Sequence, residues 1–386
     1  MTTAILFGLL SIPVRLAAQN VSSDFITFDA PGANSVAGSF DGTFPKSIND
    51  AGVITGHYID ARTLYHGFLR SPQGEFTTFD APGPGTSVGF RFGSLPYSAS
   101  IPSSININNR GAVTGNYVDA NNVSHGFLRS PAGEFITLNA PGASSTAGSF
   151  DGTFPSSINS GGTITGNYID SNELNHGFVR TPEGEFTAFD APGASSVAAF
   201  GYGTFPESIN DAGAITGHFA GGNGLYHGFL RTSQGEFTKF DAPGASTATA
   251  PGTGTLPTSI NAGGAITGHY ADGRNVYHGF LRSPGGEFTT FDAPGAGTNA
   301  GSGFGTFPDS INDAGAITGH YADGRNVNHG FVRSPSGKFA TYDAPGAGTI
   351  EGSGFGTFPD SINDAGAITG HYTDARGLNH GFLRIP

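Results

Sequence analysis

An all-β fold, a seven-bladed β-propeller with four antiparallel strands per blade, is predicted by three features of this chain. The first is a set of words that recurs seven times from end to end. The asparagine of one word falls at Asn49, Asn108, Asn159, Asn210, Asn261, Asn312 and Asn363, a spacing of 59 once and then 51 five times. A fixed period near 50 marks a repeat array, because one such unit cannot bury its own apolar face alone. The second is the alternation of short apolar runs with turn signals inside each repeat, with no helical periodicity of useful length. The third is the arrangement of the chain ends, which splits one repeat between them.

Each element of a repeat follows in order. In the fifth, Leu256–Asn261 reads as a first strand, and Asn261-Ala262-Gly263-Gly264 as a tight turn in which Asn and Gly supply positive φ. Ala265–Ala271 reads as the second strand, with Asp272-Gly273-Arg274-Asn275 as the next turn. Val276–Arg282 reads as the third, Ser283-Pro284-Gly285-Gly286 as a turn, and Glu287–Asp292 as the fourth, stopped by Ala293-Pro294-Gly295. The last repeat ends after its third strand at Ile385-Pro386, whereas residues 24–29 read as an orphan fourth strand. Their union would close the ring and remove the exposed edges of an open array.

Arginine ends the third strand of every repeat: Arg70, Arg129, Arg180, Arg231, Arg282, Arg333 and Arg384. Across the following turn stand Glu75, Glu134, Glu185, Glu236, Glu287 and, out of line, Lys338, with Asp24 offered to Arg384. Opposite-charge cross-strand pairs of about 0.2–1 kcal/mol each are therefore expected to set register, with Arg333 and Lys338 as a like-charge exception.

Composition bounds the function. The 386 residues include 63 Gly and 24 Pro, no Cys and no Trp, with a formal net charge of −13. A phosphate-binding surface needs clustered Lys and Arg, so a nucleic-acid partner is excluded, and anionic membrane surfaces are disfavoured. With no Cys there is no disulfide framework, thiolate zinc site or Cys nucleophile. Residues 1–18 contain an apolar run, Ala4–Val14, before Leu16-Ala17-Ala18, as in a secretory signal, although Met1-Thr2-Thr3 carries no positive charge. The run is too short to span a bilayer. The expected organisation is a signal over 1–18 and one propeller over 19–386, exported to the periplasm or medium as a monomer with no membrane insertion.

The words Ile-Asn-x-x-Gly-x-Ile-x-Gly and His-Gly-Phe-Leu resemble the extracellular HAF-repeat family of bacterial proteins over roughly residues 25–385. Gly stands here for the family's middle Ala, and Arg where the family often has Trp. The resemblance implies an exported, propeller-shaped protein and no established activity.

All 12 histidines lie at two repeat positions. If the second hairpin turns just after its Asp, His57 faces His66 and His269 faces His278, and facing imidazoles can hold a divalent metal. The pattern recurs five times and admits Asn116 and Asn167, which favours hydrogen bonding between strands or blades over a metal or catalytic role. No metal, cofactor or catalytic set is therefore assigned. Asp60, Asp119, Asp170, Asp272, Asp323 and Asp374 precede turns. They read as turn caps or, together, as a ring of carboxylates suited to sugar hydroxyls. The connection over residues 84–102 carries an 8-residue insertion holding Phe90, Arg91, Phe92 and Tyr97, residue types that suit a contact surface. The expected function is binding of a carbohydrate or cell-envelope polymer through repeated loops on one face. The alternatives are a lyase or hydrolase with one site near residues 84–102, and a structural matrix protein.

Overall fold

The computed structural model describes residues 21–22, 24–81, 87–88, 105–149, 151–197, 201–248, 253–301 and 303–386. Among them the fold is all-β, built from repeated four-stranded antiparallel units, with no helix. The fifth unit runs Thr255–Ile260, Ile266–Ala271, Tyr277–Arg282 and Phe288–Phe291, each strand paired antiparallel with the next. These bounds lie within a residue or so of those read from the turn signals.

Local chemistry explains the shape of a unit. Asn261 does not adopt positive φ; its side-chain oxygen accepts the Ala265 amide, and Gly264 alone takes the left-handed conformation at φ +83°. Proline interrupts every first strand outside the second unit, as at Pro257, and the register shifts between Pro257 and Ser259. Proline cannot donate to the ladder, and a bulge beside it absorbs the missing bond.

Neighbouring units are joined in three ways. The first residue of a first strand bridges in parallel to the preceding unit's third strand, as in Tyr277↔Gly305 and Asn328↔Gly356. The same bridge links the two ends of the chain at Gly42↔Asn379. Glycine is required there: Gly42 has φ +128°, and a Cβ would collide with the Asn379 carbonyl. Next, each repeated asparagine donates to the carbonyl of its counterpart one unit on, at 2.9–3.2 Å. The circuit runs from Asn49 through Asn108, Asn159, Asn210, Asn261, Asn312 and Asn363 and returns to the Asn49 carbonyl. Finally, Phe25–Phe28 pairs antiparallel with Asn379–Arg384, supplying the last unit with a fourth strand.

The apolar core sits between units. In the seam between the chain ends, Phe28, Ala30 and Leu383 pack with Ile48, Ile54, Tyr58 and Phe68. In the next complete example, Phe240 and Ala242 pack with Ile260, Ile266, Tyr270 and Phe280. A fourth strand thus covers the inner strands of the following unit, and burying one such Phe contributes about 1.5–3 kcal/mol.

The expected Arg–Glu register pairs are corrected by these seams. Arg70 lies opposite Phe76 and Arg282 opposite Phe288, one residue beyond the glutamates. The guanidinium turns instead onto the last aromatic of the preceding unit. Arg231 lies 4.7 Å from the Phe189 centroid, Arg282 5.0 Å from Phe240, Arg333 4.9 Å from Phe291 and Arg70 4.7 Å from Phe28. Arg384 lies over Tyr342 in the same way and does not pair with Asp24, because Phe25 stands opposite it. Lys338 is therefore not set against Arg333. The slot is a buried cation–π contact, which accounts for an Arg at this place in every repeat.

The middle Gly of His-Gly-Phe is explained by the same aromatic. A Cβ on Gly67, Gly279 or Gly381 would run into the ring of Phe79, Phe291 or Phe28 leaning over it.

Candidate functional site

The six aspartates end their second strands and cap the turns that follow. Asp60 Oδ1 accepts the amides of Arg62 and Leu64 at 2.8 and 2.9 Å, and Asp272 holds Arg274 and Val276 in the same way. Asp119, Asp170, Asp323 and Asp374 repeat the pattern. Burial alone would raise these carboxyls, but the amide hydrogen bonds outweigh it and hold all six below the usual range.

The second carboxylate oxygen orients a longer side chain. Arg62, Arg274, Arg325 and Arg376 each donate Nε to it at 3.0–3.3 Å. Asn121 and Asn172 donate Nδ2 at 3.4 and 3.0 Å in the second and third units. The four arginine side chains are 63–81% exposed, so each is fixed at Nε while its terminal nitrogens face solvent. The backbone places the inter-unit connections beside them. The Gly38 amide donates to the Arg376 carbonyl, Gly301 to Arg274 and Gly352 to Arg325. Turns and connections therefore share one face, as the repeat pattern implies. Phe90, Arg91, Phe92 and Tyr97 lie outside the described residues.

The facing-histidine expectation is corrected. The register pairs His66 with Tyr58 and His57 with Gly67, and likewise His278 with Tyr270 and His269 with Gly279. The two histidines of a unit therefore point to opposite faces of the sheet. His66 stacks on Tyr58 with centroids 4.9 Å apart and bridges Asp80 at 2.6 Å and Asp60 at 3.6 Å. His380 joins Asp29 at 2.9 Å to Asp374 at 3.6 Å across the chain ends. Its pKa is raised: desolvation opposes the charge, but the hydrogen bond and field of Asp29 and the field of Asp374 prevail. Among the described residues no group of three or more His, Asp or Glu is arranged to hold a metal ion.

His57 and its counterparts line a second, inner layer. His57 stacks on Phe44, His218 on Phe205, His320 on Phe307 and His371 on Phe358, all with centroids 4.9 Å apart. Their Nδ1 atoms face the bulge residue of the first strand, which is the position where the repeated word varies. It holds Lys46, Ser156, Glu207, Thr258, Asp309 and Asp360. Asp309 lies 3.1 Å from His320, Asp360 3.3 Å from His371, and Lys46 2.8 Å from Asp360. The first strands contact one another around the ring, so these groups surround its axis. A cavity of about 210 Å³ opens at one end of that axis, bordered by the Ile-Asn-Asp turns and the exposed Asp50, Asp211, Asp313 and Asp364.

Enclosure separates the charge states of this layer. Desolvation lowers His57 and His218 to about 3 and His269 to about 4, so these rings are neutral. It pushes Glu207 up to about 8, and it raises Asp309 against the pull of His320. Burial works in the same sense on Asp360, but the Lys46 charge and the His371 hydrogen bond overcome it and hold that carboxyl low. Beside its neutral imidazoles the layer therefore holds two carboxyl groups, Glu207 and Asp309, whose ionisation burial opposes. The signal for it was present in the sequence, as a Pro-flanked position alternating Lys, Ser, Glu, Thr and Asp inside an otherwise constant word.

No protein-family model matches the chain, and no curated protein matches it in sequence. Solved structures do share its architecture. A prolyl endopeptidase gives a TM-score of 0.51 at 11% identity, over 89% of this chain and 50% of that one. The β-propeller domain of the trilobed protease from Pyrococcus furiosus gives 0.49 at 8% identity, over 89% and 95%. The Aleuria aurantia lectin with Fucα1-6GlcNAc gives 0.42 at 14% identity, over 81% and 96%. At such identities the likeness concerns the fold alone.

Proposed function

We propose that this chain is a closed seven-bladed propeller, exported and monomeric, that binds a carbohydrate or cell-envelope polymer at several equivalent places on the face formed by its turns and connections. Closure is supported by the asparagine circuit and by the pairing of Phe25–Phe28 with Asn379–Arg384. Export and kinship with HAF-repeat proteins rest on the sequence words and the N-terminal apolar run.

The observation that carries the binding reading is the recurrent Asp-held donor. Six of the seven turns fix an Arg or Asn by its Asp, and the four guanidiniums leave their terminal N–H groups in solvent. A donor held by a buried-edge carboxylate loses little side-chain entropy when it meets a hydroxyl, and the paired Asp removes the net positive charge that would draw phosphate polymers. Each place alone would be weak; repetition on one rigid face supplies avidity.

The test is calorimetric titration with polysaccharides of different backbone chemistry and with oligosaccharides cut from any that bind. Expected are more than one oligosaccharide per chain, and a several-fold loss of polymer affinity when Arg274 and Arg325 are both changed to Ala. A single site per chain, or affinity unchanged in that variant, would contradict the multivalent reading.

A further inference from the structure

One residue on this face departs from the glycine that three later units carry at its place. Two residues before the first strand's leading glycine, the described chain passes through a left-handed position, occupied by Gly201 at φ +84°, Gly303 at +68° and Gly354 at +69°. In the first unit that position is Phe40, at φ +58° and 59% exposed; the third unit repeats the word with Phe150, which lies outside the described residues, in a connection that borders Asn121 and not an arginine. A bulky side chain in the left-handed region carries a steric cost that glycine does not. Exposure to water returns little of it. Strain kept at a bulky residue persists only where the surroundings over-determine it, and such positions gather at ligand contacts.

The surroundings do over-determine it. The Phe40 amide donates to the Gly377 carbonyl at 3.0 Å, Asn379 Nδ2 donates to the Phe40 carbonyl at 2.7 Å, and the Gly38 amide donates to the Arg376 carbonyl at 2.6 Å. The ring meets Phe355 edge-on, with centroids 5.9 Å apart and planes at 65°, so it is buttressed from one side. Gly377 lies beneath the pair; a Cβ there would come to 3.5 Å from Phe355 Cζ and 3.6 Å from Phe40 Cε1. On the same turn stands Arg376, 65% exposed, with Nε held 3.0 Å from Asp374 Oδ2.

We propose that Phe40 is the stacking platform of a primary pyranose subsite at the seam between the last and first repeats, with Arg376 donating to the sugar hydroxyls. The inference rests on the carbohydrate reading above and singles out one seam within it. An aromatic face takes the C–H side of a pyranose ring, and a fixed guanidinium reads the hydroxyls at its edge; the two together exceed what a fixed guanidinium alone offers. The subsite takes a neutral hexose of a polymer, since the guanidinium is already charge-matched by Asp374.

Phe40→Gly and Phe40→Trp test it, with dextran, galactomannan and solubilised peptidoglycan fragments as probes. At least one probe is expected to bind the unaltered protein. Phe40→Gly should weaken that binding at least tenfold while its thermal midpoint stays level or rises, because strain is removed; Phe40→Trp should bind at least as well as Phe. A Phe40→Gly protein with a lowered midpoint would make Phe40 a packing residue and overturn the proposal. Equal binding by Phe40→Gly would overturn it while leaving the carbohydrate reading standing. No binding of any probe by the unaltered protein would overturn both.

Discussion

A single histidine position shows how one residue serves the fold and sets its pH limits. His57 and His269 are enclosed beside aromatic rings, with Nδ1 atoms that have no hydrogen-bond partner in the protein. Their folded pKa values, about 3 and about 4, lie below the ordinary 6.5. Between those limits the unfolded chain binds more protons than the folded one, so stability is fully present above about pH 6.5 and declines as pH falls toward 4. The raised Glu207 contributes with the opposite slope between its ordinary 4.5 and about 8, and this is common to wild type and variant. Asn stands at the same place in the second and third units, as Asn116 and Asn167, so His57→Asn with His269→Asn is a substitution the fold already accommodates. Denaturant midpoints measured from pH 7 to pH 4 should fall less steeply in the double variant than in the parent. Equal slopes would show that these rings do not limit acid stability. The sequence reading placed the two histidine positions on one face of the sheet, and the register places them on opposite faces. The error is one residue of register: the turn after Asp60 spans one residue more than a two-residue hairpin, and a shift of one sends every side chain to the other face.

At the scale of the element, the seams between units explain features that strand patterns alone could not. Turn chemistry made the strands legible, since Asn-x-x-Gly ends the first strand of every unit and Asp-led and Ser- or Thr-led turns bound most of the others. The Arg–aromatic slot was not legible, because it joins residues from two units and the nearest opposite charge in sequence, Glu at five residues on, offered a simpler partner. Leu138 provides a natural control: Arg180 meets no aromatic from the preceding unit there and lies only near its own Phe186, at 6.0 Å. Phe189→Leu would give the next seam the same composition. A double-mutant cycle between Phe189→Leu and Arg231→Met should return a coupling of about 0.5–1 kcal/mol. A coupling near zero would mean that the slot holds Arg by packing of its stem alone. The variable layer around the axis was equally open to reading, as a changing letter in a near-constant word. Repetition marks what builds the scaffold; the departures, Phe40 and the bulge series from Lys46 to Asp360, mark where units were allowed to differ.

For the molecule as a whole, presenting all turns on one face depends on the ring being closed by its own two ends. Four contacts of different chemistry converge on that seam. Phe25–Phe28 pairs with Asn379–Arg384, Gly42 bridges to Asn379, Lys46 meets Asp360, and Asn363 returns the circuit to Asn49. Lys46 is the only basic residue at the bulge position among the described units and faces the last of the acidic ones, which gives the first and last repeats a mutual preference. The split repeat made the pairing of the two chain ends readable from sequence; the bridges beside it lay in backbone geometry and were not. The most direct measurement of the claim is strand complementation. A chain beginning at Ala33 lacks the fourth strand of the last unit, and a synthetic peptide spanning residues 21–32 should bind it one to one and restore the thermal midpoint toward that of the full chain. A truncated chain as stable as the parent and indifferent to the peptide would contradict a ring closed by its ends.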